Sequence, residues 1–289
     1  MGEQRRTILG IVTYVLLTFG LSTFFYHAIL KAGSMGVANG LFVVGLMWCP
    51  GVSGLITRLI FQKTLRGVGW RWGRWKYQWA SYWIPIAYWS AVYLPFWVLG
   101  YGDFHSDVLE RVVTVLHLLR LKPYSQAELV VLYIIVTATF IMIPSCFWTL
   151  GEELGWRGFL VPELAKITSF TNVALISGVI WAAWHLPLII GANYHGAGPR
   201  WYSILCFTLG IINGSFIFAW LRLKSGSVWT GVLLHTSHNL FNEAIFAPMT
   251  RHARVPDYVV GEFGIGLVIT TGLAAYILWR RRAELAVVR

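Results

Sequence analysis

Two adjacent glutamates, Glu152 and Glu153, follow a run over residues 129–151 that contains no Asp, Glu, Lys or Arg. The run is long enough to cross a bilayer, and an ionisable residue in such a place is by default a candidate functional group. Adjacent carboxylates repel each other, and Arg157, one helical turn after Glu153, supplies a counter-charge for that residue. Glu152 then lies on a different helical face and remains available for chemistry.

Histidine and asparagine occur in two further apolar segments. His185 follows Trp181-Ala-Ala-Trp, and His235 and Asn239 are four residues apart, so they share a helical face. A carboxylate, imidazoles and an amide are suited to activating a water molecule and stabilising an oxyanion. Each segment taken singly also has a plain structural interpretation: glutamates snorkelling at a helix end, a satisfied core histidine, or hydrogen bonds between helices. Three such segments in one chain favour a shared site.

The composition indicates that these segments belong to membrane helices. Hydrophobic residues make up 57% of the chain and charged residues 12%, whereas an average soluble domain has about 25% charged residues. Eight runs free of Asp, Glu, Lys and Arg approach or exceed the roughly 20 residues that a spanning helix needs. These runs are 7–30, 32–57, 77–102, 129–151, 169–199, 201–221, 226–242 and 263–279. We therefore predict an all-α polytopic membrane protein, a single integral membrane domain over residues 1–289 built from about eight transmembrane helices.

The cationic residues predict the orientation of this bundle. With a cytoplasmic N-terminus, eight crossings place sixteen of the 23 Lys and Arg residues in cytoplasmic segments, which fits the positive-inside rule. We predict a multi-pass protein of the cell membrane with both termini cytoplasmic and an intramembrane cavity that faces the cytoplasm. This asymmetry accounts for the net charge of +11, so the lipid bilayer is the expected partner and no nucleic acid is.

Two segments between the runs carry weaker signals. Residues 63–76 interleave Trp70, Trp72 and Trp75 with Arg and Lys, which is typical of a segment at an anionic headgroup layer and also of an ordinary loop. Residues 103–126 have apolar side chains at helical spacing and predict a short amphipathic helix on the surface.

Three motifs now stand in order along the chain. They are Glu152-Glu-Leu-Gly-Trp-Arg-Gly-Phe-Leu160, Trp181-Ala-Ala-Trp-His-Leu-Pro187 and Gly226-Ser-Val-Trp-Thr-Gly-Val-Leu-Leu-His-Thr-Ser-His-Asn239. Together they resemble the motifs of the type II CaaX prenyl endopeptidases and their bacterial relatives, the CPBP intramembrane proteases, also called the Abi family. The motif core covers about 129–242. Many members carry Phe at the position of Trp181, a departure that bears on the shape of the pocket more than on its chemistry.

The resemblance implies catalytic roles for Glu152, His185, His235 and Asn239 and supporting roles for Glu153 and Arg157. Glu152, assisted by His185, would polarise the water that attacks a peptide carbonyl. The histidine and asparagine of the third motif would hold the oxyanion. The chain lacks the HExxH spacing of a common zinc site, so no cofactor is established. Zinc remains a candidate cofactor, with Glu152, His185 and His235 as its candidate ligands.

The expected function is therefore that of an intramembrane endopeptidase acting on a membrane-associated or lipidated peptide or protein. A non-catalytic membrane scaffold or immunity protein is the alternative, because bacterial members of the family are linked to bacteriocin self-protection. A transporter also places ionisable groups in membrane helices. The outer halves of the runs offer little polarity beyond Asn193, His195, Asn242 and Glu243, so transport is the weaker interpretation.

Overall fold

The computed structural model describes residues 2–36, 40–102, 113–114, 125–250 and 256–285 of the 289-residue chain. Within these ranges the regular structure is helical, and a single isolated bridge joins Gly102 to Thr250. The helices α1 to α3 are Glu3–Ala32, Gly40–Gln62 and Trp75–Phe96, the last extended by a π-helical turn, Trp97–Tyr101. The surface helix expected over residues 103–126 lies almost entirely outside the described residues.

The fourth helix, α4, is one continuous segment, Gln126–Ala165. Two π-helical turns, Thr137–Ile141 and Trp156–Leu160, interrupt its α-helical geometry. The remaining helices are α5 Phe170–Gly191, α6 Arg200–Ser225, α7 Trp229–Leu240 with the π-helical extension Phe241–Phe246, α8 Pro256–Val259 and α9 Ile265–Arg280.

A helix corresponds to each of the eight predicted runs. Among the described residues, six helices, α1 to α6, are long and apolar enough to cross a membrane, and α9 is a shorter apolar helix. The all-α polytopic membrane fold is confirmed, while the count of eight crossings stays a prediction. Local sequence sets several boundaries. Ser125 and Glu128 form a capping box at the start of α4, and Gly33 and Gly226 end α1 and α6 in the left-handed conformation.

The glutamate pair does not lie at a helix end. After Glu153, α4 continues for about three turns to Ala165. The side chains of Glu152 and Glu153 are 3% and 0% exposed, so the snorkelling interpretation is wrong. Glu153 and Arg157, which follow the uncharged run, are paired with each other inside the protein, so the end of that run does not mark the end of the helix.

Glycines bring the helices of the motif core close together. Gly151 and Gly155 of α4 lie against α2, where a Cβ on Gly155 would be 2.4 Å from the backbone of Pro50 and a Cβ on Gly51 would be 2.3 Å from the carbonyl of Gly151. A Cβ on Gly231 of α7 would be 2.5 Å from a carboxylate oxygen of Glu153. These spacings are typical of membrane helices that pack through small residues.

The connections gather at two ends of the bundle. At the first, which we call the 63–74 end, Gln62 donates to Glu163 at 2.7 Å, and Arg222 donates to the carbonyls of Gly67 and Val68 at 3.0 and 3.2 Å. At the opposite end, the 192–199 end, Tyr194 follows α5 and donates to Glu262 in the loop before α9. The segment with Trp70 and Trp72 therefore packs against the bundle, and whether it contacts headgroups stays a prediction.

Candidate active site

A cavity of about 380 Å³ lies within the bundle and is bordered by residues of α2 to α7 and of α9. All four residues predicted to be catalytic line it: Glu152, His185, His235 and Asn239. The supporting residues Glu153 and Arg157 lie behind its wall and are buried. The structure thus brings the three sequence motifs to one place, whereas the catalytic roles of their residues stay predictions.

Two indole groups hold the carboxylate of Glu152. Trp156 Nε1 and Trp181 Nε1 donate to Glu152 Oε2 at 3.2 and 3.0 Å. Glu152 Oε1 has no hydrogen-bond partner among the described residues, and the side chain borders the cavity. One oxygen is therefore fixed and the other is available to a water molecule.

The backbone of α5 orients His185. Its Nδ1 lies 3.0 Å from the carbonyl oxygen of Trp181, one turn earlier in the helix. A carbonyl only accepts, so Nδ1 carries the proton and Nε2 of the neutral ring has a free lone pair. The ring packs edge-on against Trp184 and Phe207, with centroid separations of 4.8 and 5.0 Å, which restricts its rotation. His185 can therefore accept a hydrogen bond in the cavity.

A buried ion pair supports His235. Glu153 Oε1 accepts from Arg157 Nη1 and from His235 Nδ1, both at 2.9 Å. Arg157 is 2% exposed, and its guanidinium carbon lies 4.1 Å from the ring centroid of Trp181 and 3.7 Å from that of Phe218. The contact with Glu153 through Nδ1 orients the ring of His235, and its other ring nitrogen, Nε2, has no hydrogen-bond partner among the described residues. The predicted pairing of Glu153 with Arg157 is present.

Asn239 completes the set on α7. Its side chain is half-buried, borders the cavity and has no hydrogen-bond partner among the described residues. The amide N–H groups are therefore available to a ligand oxygen. Asn239 and His235 are one turn apart on the same face, so two donors can point at one oxygen atom.

The helices α4 and α7 depart from α-helical geometry next to their site residues. A π-helical turn, Trp156–Leu160, follows Glu152 and Glu153, and another, Phe241–Phe246, follows Asn239. Isolated π-helical turns are rare and frequently occur at functional sites. The first turn contains both Trp156 and Arg157, so it sets the positions from which these residues contact Glu152 and Glu153.

The residues present do not form a metal centre in this arrangement. Across the described ranges, no three His, Cys, Asp or Glu side chains are placed to share an ion. His235 Nδ1 and Glu152 Oε2 are already engaged by Glu153 and by the two indoles. We therefore derive no step through zinc.

The position of the cavity bears on the predicted orientation. The cavity reaches Met35, Tyr194 and Glu262 at the 192–199 end. At the other side of the cavity, Arg222 Nε donates to the carbonyl of Arg157 at 2.7 Å. These two arginines lie between the cavity and the 63–74 end. The predicted orientation makes the 63–74 end cytoplasmic. Both the cytoplasmic opening of the cavity and the cytoplasmic location of the termini stay predictions.

Sequence reasoning missed several residues of the site. Tyr88, Tyr194, His238, Glu243 and Glu262 also border the cavity. Glu262 falls in a loop between runs, where spacing carries no signal. Trp156 and Trp181 were visible in the motifs, but an indole beside a glutamate does not by itself indicate a hydrogen bond.

Comparison with known proteins identifies a family that the motif core resembles. Residues 128–241 match the model of the Rce1-like family, described as type II CAAX prenyl endopeptidase Rce1-like. Over these residues the chain is similar to that family, which supports the resemblance to the CPBP proteases. The matched range contains all six motif residues, and it nearly coincides with the predicted core.

A curated relative agrees with this family. The chain is 28% identical over 130 residues to the protein named CAAX prenyl protease 2 of Methanococcus maripaludis. The aligned part is 43% of this chain and 45% of the relative, so the chain spans less than half the length of the curated protein that it matches.

Proposed function

We propose that this protein is an intramembrane endopeptidase that hydrolyses a peptide bond with a water molecule activated by Glu152 and His185. The observation that carries the proposal is how the two carboxylate oxygens of Glu152 are placed. One carboxylate oxygen is fixed by two indole N–H groups, and the other faces a cavity shared with His185, His235 and Asn239. The family match and the curated relative support a protease.

The chemistry follows from the free atoms of each residue. Water bound between Glu152 Oε1 and His185 Nε2 gives a proton to the carboxylate as its oxygen attacks the substrate carbonyl carbon. His235 and Asn239 donate hydrogen bonds to the oxyanion that forms. The carbon–nitrogen bond then breaks, and the proton held by Glu152 passes to the leaving amine. A carboxylic acid and an amine are the products.

The cavity also supports the choice of substrate class. Besides polar residues, its walls carry large apolar side chains, among them Met47, Leu188, Ile217 and Leu267. A volume of about 380 Å³ with such walls suits an apolar chain beside a peptide bond. We infer that the substrate is a membrane-associated or lipidated peptide. Incubating the purified protein with matched lipidated and unlipidated peptides tests this inference, and faster cleavage of the lipidated peptides is the expected result.

Replacing Trp181 with Phe tests the indole contact. Phe keeps an aromatic ring beside Arg157 but cannot donate to Glu152 Oε2. A hydrogen bond to a charged group is worth about 1.5–3 kcal/mol, so we expect kcat to fall roughly tenfold to 100-fold in Trp181→Phe. Trp279→Phe is the control, because it removes an indole donor to Thr171 outside the cavity. Equal rates for wild type and Trp181→Phe would show that the indole does not position the carboxylate.

Metal removal tests the assignment of Glu152 as the base. Zinc bound by histidines is lost on chelation or acidification. We expect cleavage to be unchanged by a strong chelator, because no three ligand side chains converge among the described residues. The measurement is the initial rate, together with the metal content of the purified protein. Stoichiometric zinc that leaves with the activity, and restores it when added back, would contradict the proposed mechanism.

A further inference from the structure

Hydrogen bonds join α3 to α7 on either side of Asn239. Ser237 Oγ donates to the carbonyl of Tyr82 at 2.7 Å, Trp89 Nε1 donates to the carbonyl of His238 at 3.0 Å, and Tyr93 Oη donates to Asn242 Oδ1 at 2.8 Å. Two of these contacts come just before Asn239 in the sequence, and the third comes after it, in the π-helical extension of α7. The proposed hydrolysis uses none of these α3 residues, so their contacts serve to support α7.

The bond from Trp89 reaches the peptide unit next to Asn239. The carbonyl of His238 and the N–H of Asn239 belong to one planar peptide group. Holding that carbonyl therefore fixes the plane from which Cα and Cβ of Asn239 project. The indole of Trp89 also packs against the ring of His238, with centroids 5.1 Å apart, and Tyr88 Oη is hydrogen-bonded to Nδ1 of that ring at 2.5 Å. Residue 238 is thus held by α3 through both its backbone and its side chain.

The helix itself holds this peptide less firmly than a regular turn does. Where the π-helical turn begins, the N–H of Phe241 is shared between the carbonyls of Ser237 and His238. In a regular α-helix each N–H bonds to the single carbonyl four residues earlier. The orientation of Asn239 therefore depends on a donor from outside α7, and Trp89 provides that donor.

Trp89 has no direct access to a substrate. Its side chain is 0% exposed and is not part of the cavity lining, whereas Asn239 borders the cavity. We propose that Trp89 is a positioning residue for the hydrolysis. Its indole N–H holds the peptide between His238 and Asn239 so that the Asn239 amide points at the oxyanion. This role rests on the proposed endopeptidase function.

Replacing Trp89 with Phe tests the positioning role. Phe keeps an aromatic ring and removes the donor. The oxyanion forms only in the transition state, so a displaced donor lowers kcat and leaves KM close to that of the wild type. A misplacement of about 1 Å can cost about 10²-fold, so we expect kcat to fall at least about tenfold. Trp97→Phe is the control, because it removes an indole donor from the extension of α3 to Thr250, away from Asn239, and its kcat should match that of the wild type.

A double-mutant cycle with Asn239→Ala separates positioning from a general loss of packing. Removing one oxyanion donor costs about 10²–10³ in kcat. If Trp89 acts through Asn239, Trp89→Phe has no further effect on kcat in the Asn239→Ala background, because the two residues are coupled. The same fold reduction in both backgrounds overturns the positioning role and leaves the endopeptidase function standing. Wild-type kcat in Asn239→Ala overturns the oxyanion role of Asn239, and the positioning role with it.

A shape-preserving replacement and a measurement without substrate complete the test. Benzothienylalanine at position 89 keeps the shape of tryptophan but has sulfur in place of the N–H, so it should reproduce the loss of kcat without disturbing the core. NMR of protein with isotope-labelled asparagine follows the side-chain amide of Asn239, whose signal is identified by its absence from Asn239→Ala. We expect that signal to shift or broaden in the benzothienylalanine protein and to stay in place in Trp97→Phe. An unchanged Asn239 signal in the benzothienylalanine protein overturns the proposal, even where the wild type cleaves nothing.

Discussion

Replacing Glu152 with Gln abolishes peptide cleavage while leaving the bundle folded. Gln keeps the side-chain volume, and its carbonyl oxygen accepts the indole N–H bonds that Trp156 and Trp181 make to Glu152. It cannot take a proton from water. Loss of a general base typically costs about 10²–10⁴ in rate, so we expect kcat to fall to the detection limit. The initial rate on a peptide that the wild type cleaves, measured with thermal unfolding in the same detergent, checks both parts.

Glu163→Gln is the matched control for Glu152→Gln. Glu163 is also a buried glutamate on α4, but it pairs with Lys166 at 2.7 Å and lies near Arg58, away from the cavity. Its replacement should lower stability and spare turnover. If Glu152→Gln retains close to wild-type turnover, another residue supplies the base and the proposed mechanism is wrong.

Replacing Arg157 with Ala lowers stability and activity together. The guanidinium is the cationic partner of Glu153, which is fully buried. Removing one member of a buried ion pair costs about 3–5 kcal/mol because the other charge is left uncompensated. Activity falls as well, since Glu153 Oε1 also accepts from His235. The free energy of unfolding and the cleavage rate should both drop in Arg157→Ala.

Two further variants sharpen the test of Arg157. Arg281→Ala breaks an exposed pair with Glu284, and such pairs contribute about 0–1 kcal/mol. Its stability and activity should match those of the wild type. The double variant Glu153→Gln with Arg157→Met removes both charges, so it should be more stable than Arg157→Ala although still impaired in activity. Full stability and full activity in Arg157→Ala would show that the Glu153–Arg157 pair supports neither the fold nor the position of His235.

Much of the fold follows from simple sequence signals. A composition with few charges requires helices, since backbone polar groups in a bilayer must be satisfied internally. The approximate bounds of those helices follow from where charged residues stop each run. The pairing of Glu153 with Arg157 is a local, one-turn contact, and local contacts are what spacing reports.

Other features depend on contacts that spacing does not encode. Trp181 reaches Glu152 from another helix, and Glu262 reaches Tyr194 across 68 residues of sequence. The continuation of α4 past Glu153 could not be predicted from the sequence for a related reason. A charged residue normally marks the edge of a membrane run, but here Arg157 is neutralised by its partner and covered by Trp181 and Phe218. The end of the bundle at which the cavity lies is equally a property of the packed helices.

The glycine contact between α2 and α4 has a consequence for protein engineering. Pro50 and Gly51 occupy the space beside Gly151 and Gly155 so closely that a single methyl group does not fit. A designer who transplants the three motifs into another helical scaffold therefore has to bring the 50–54 segment of α2 with them. Without that segment a host helix cannot approach α4 as closely as α2 does, and a gap is left beside the motif glycines. The smallest portable unit of this site is therefore larger than its chemistry: α2, which supplies none of the predicted catalytic residues, has to accompany α4, α5 and α7 and the α6 residues that pack against them.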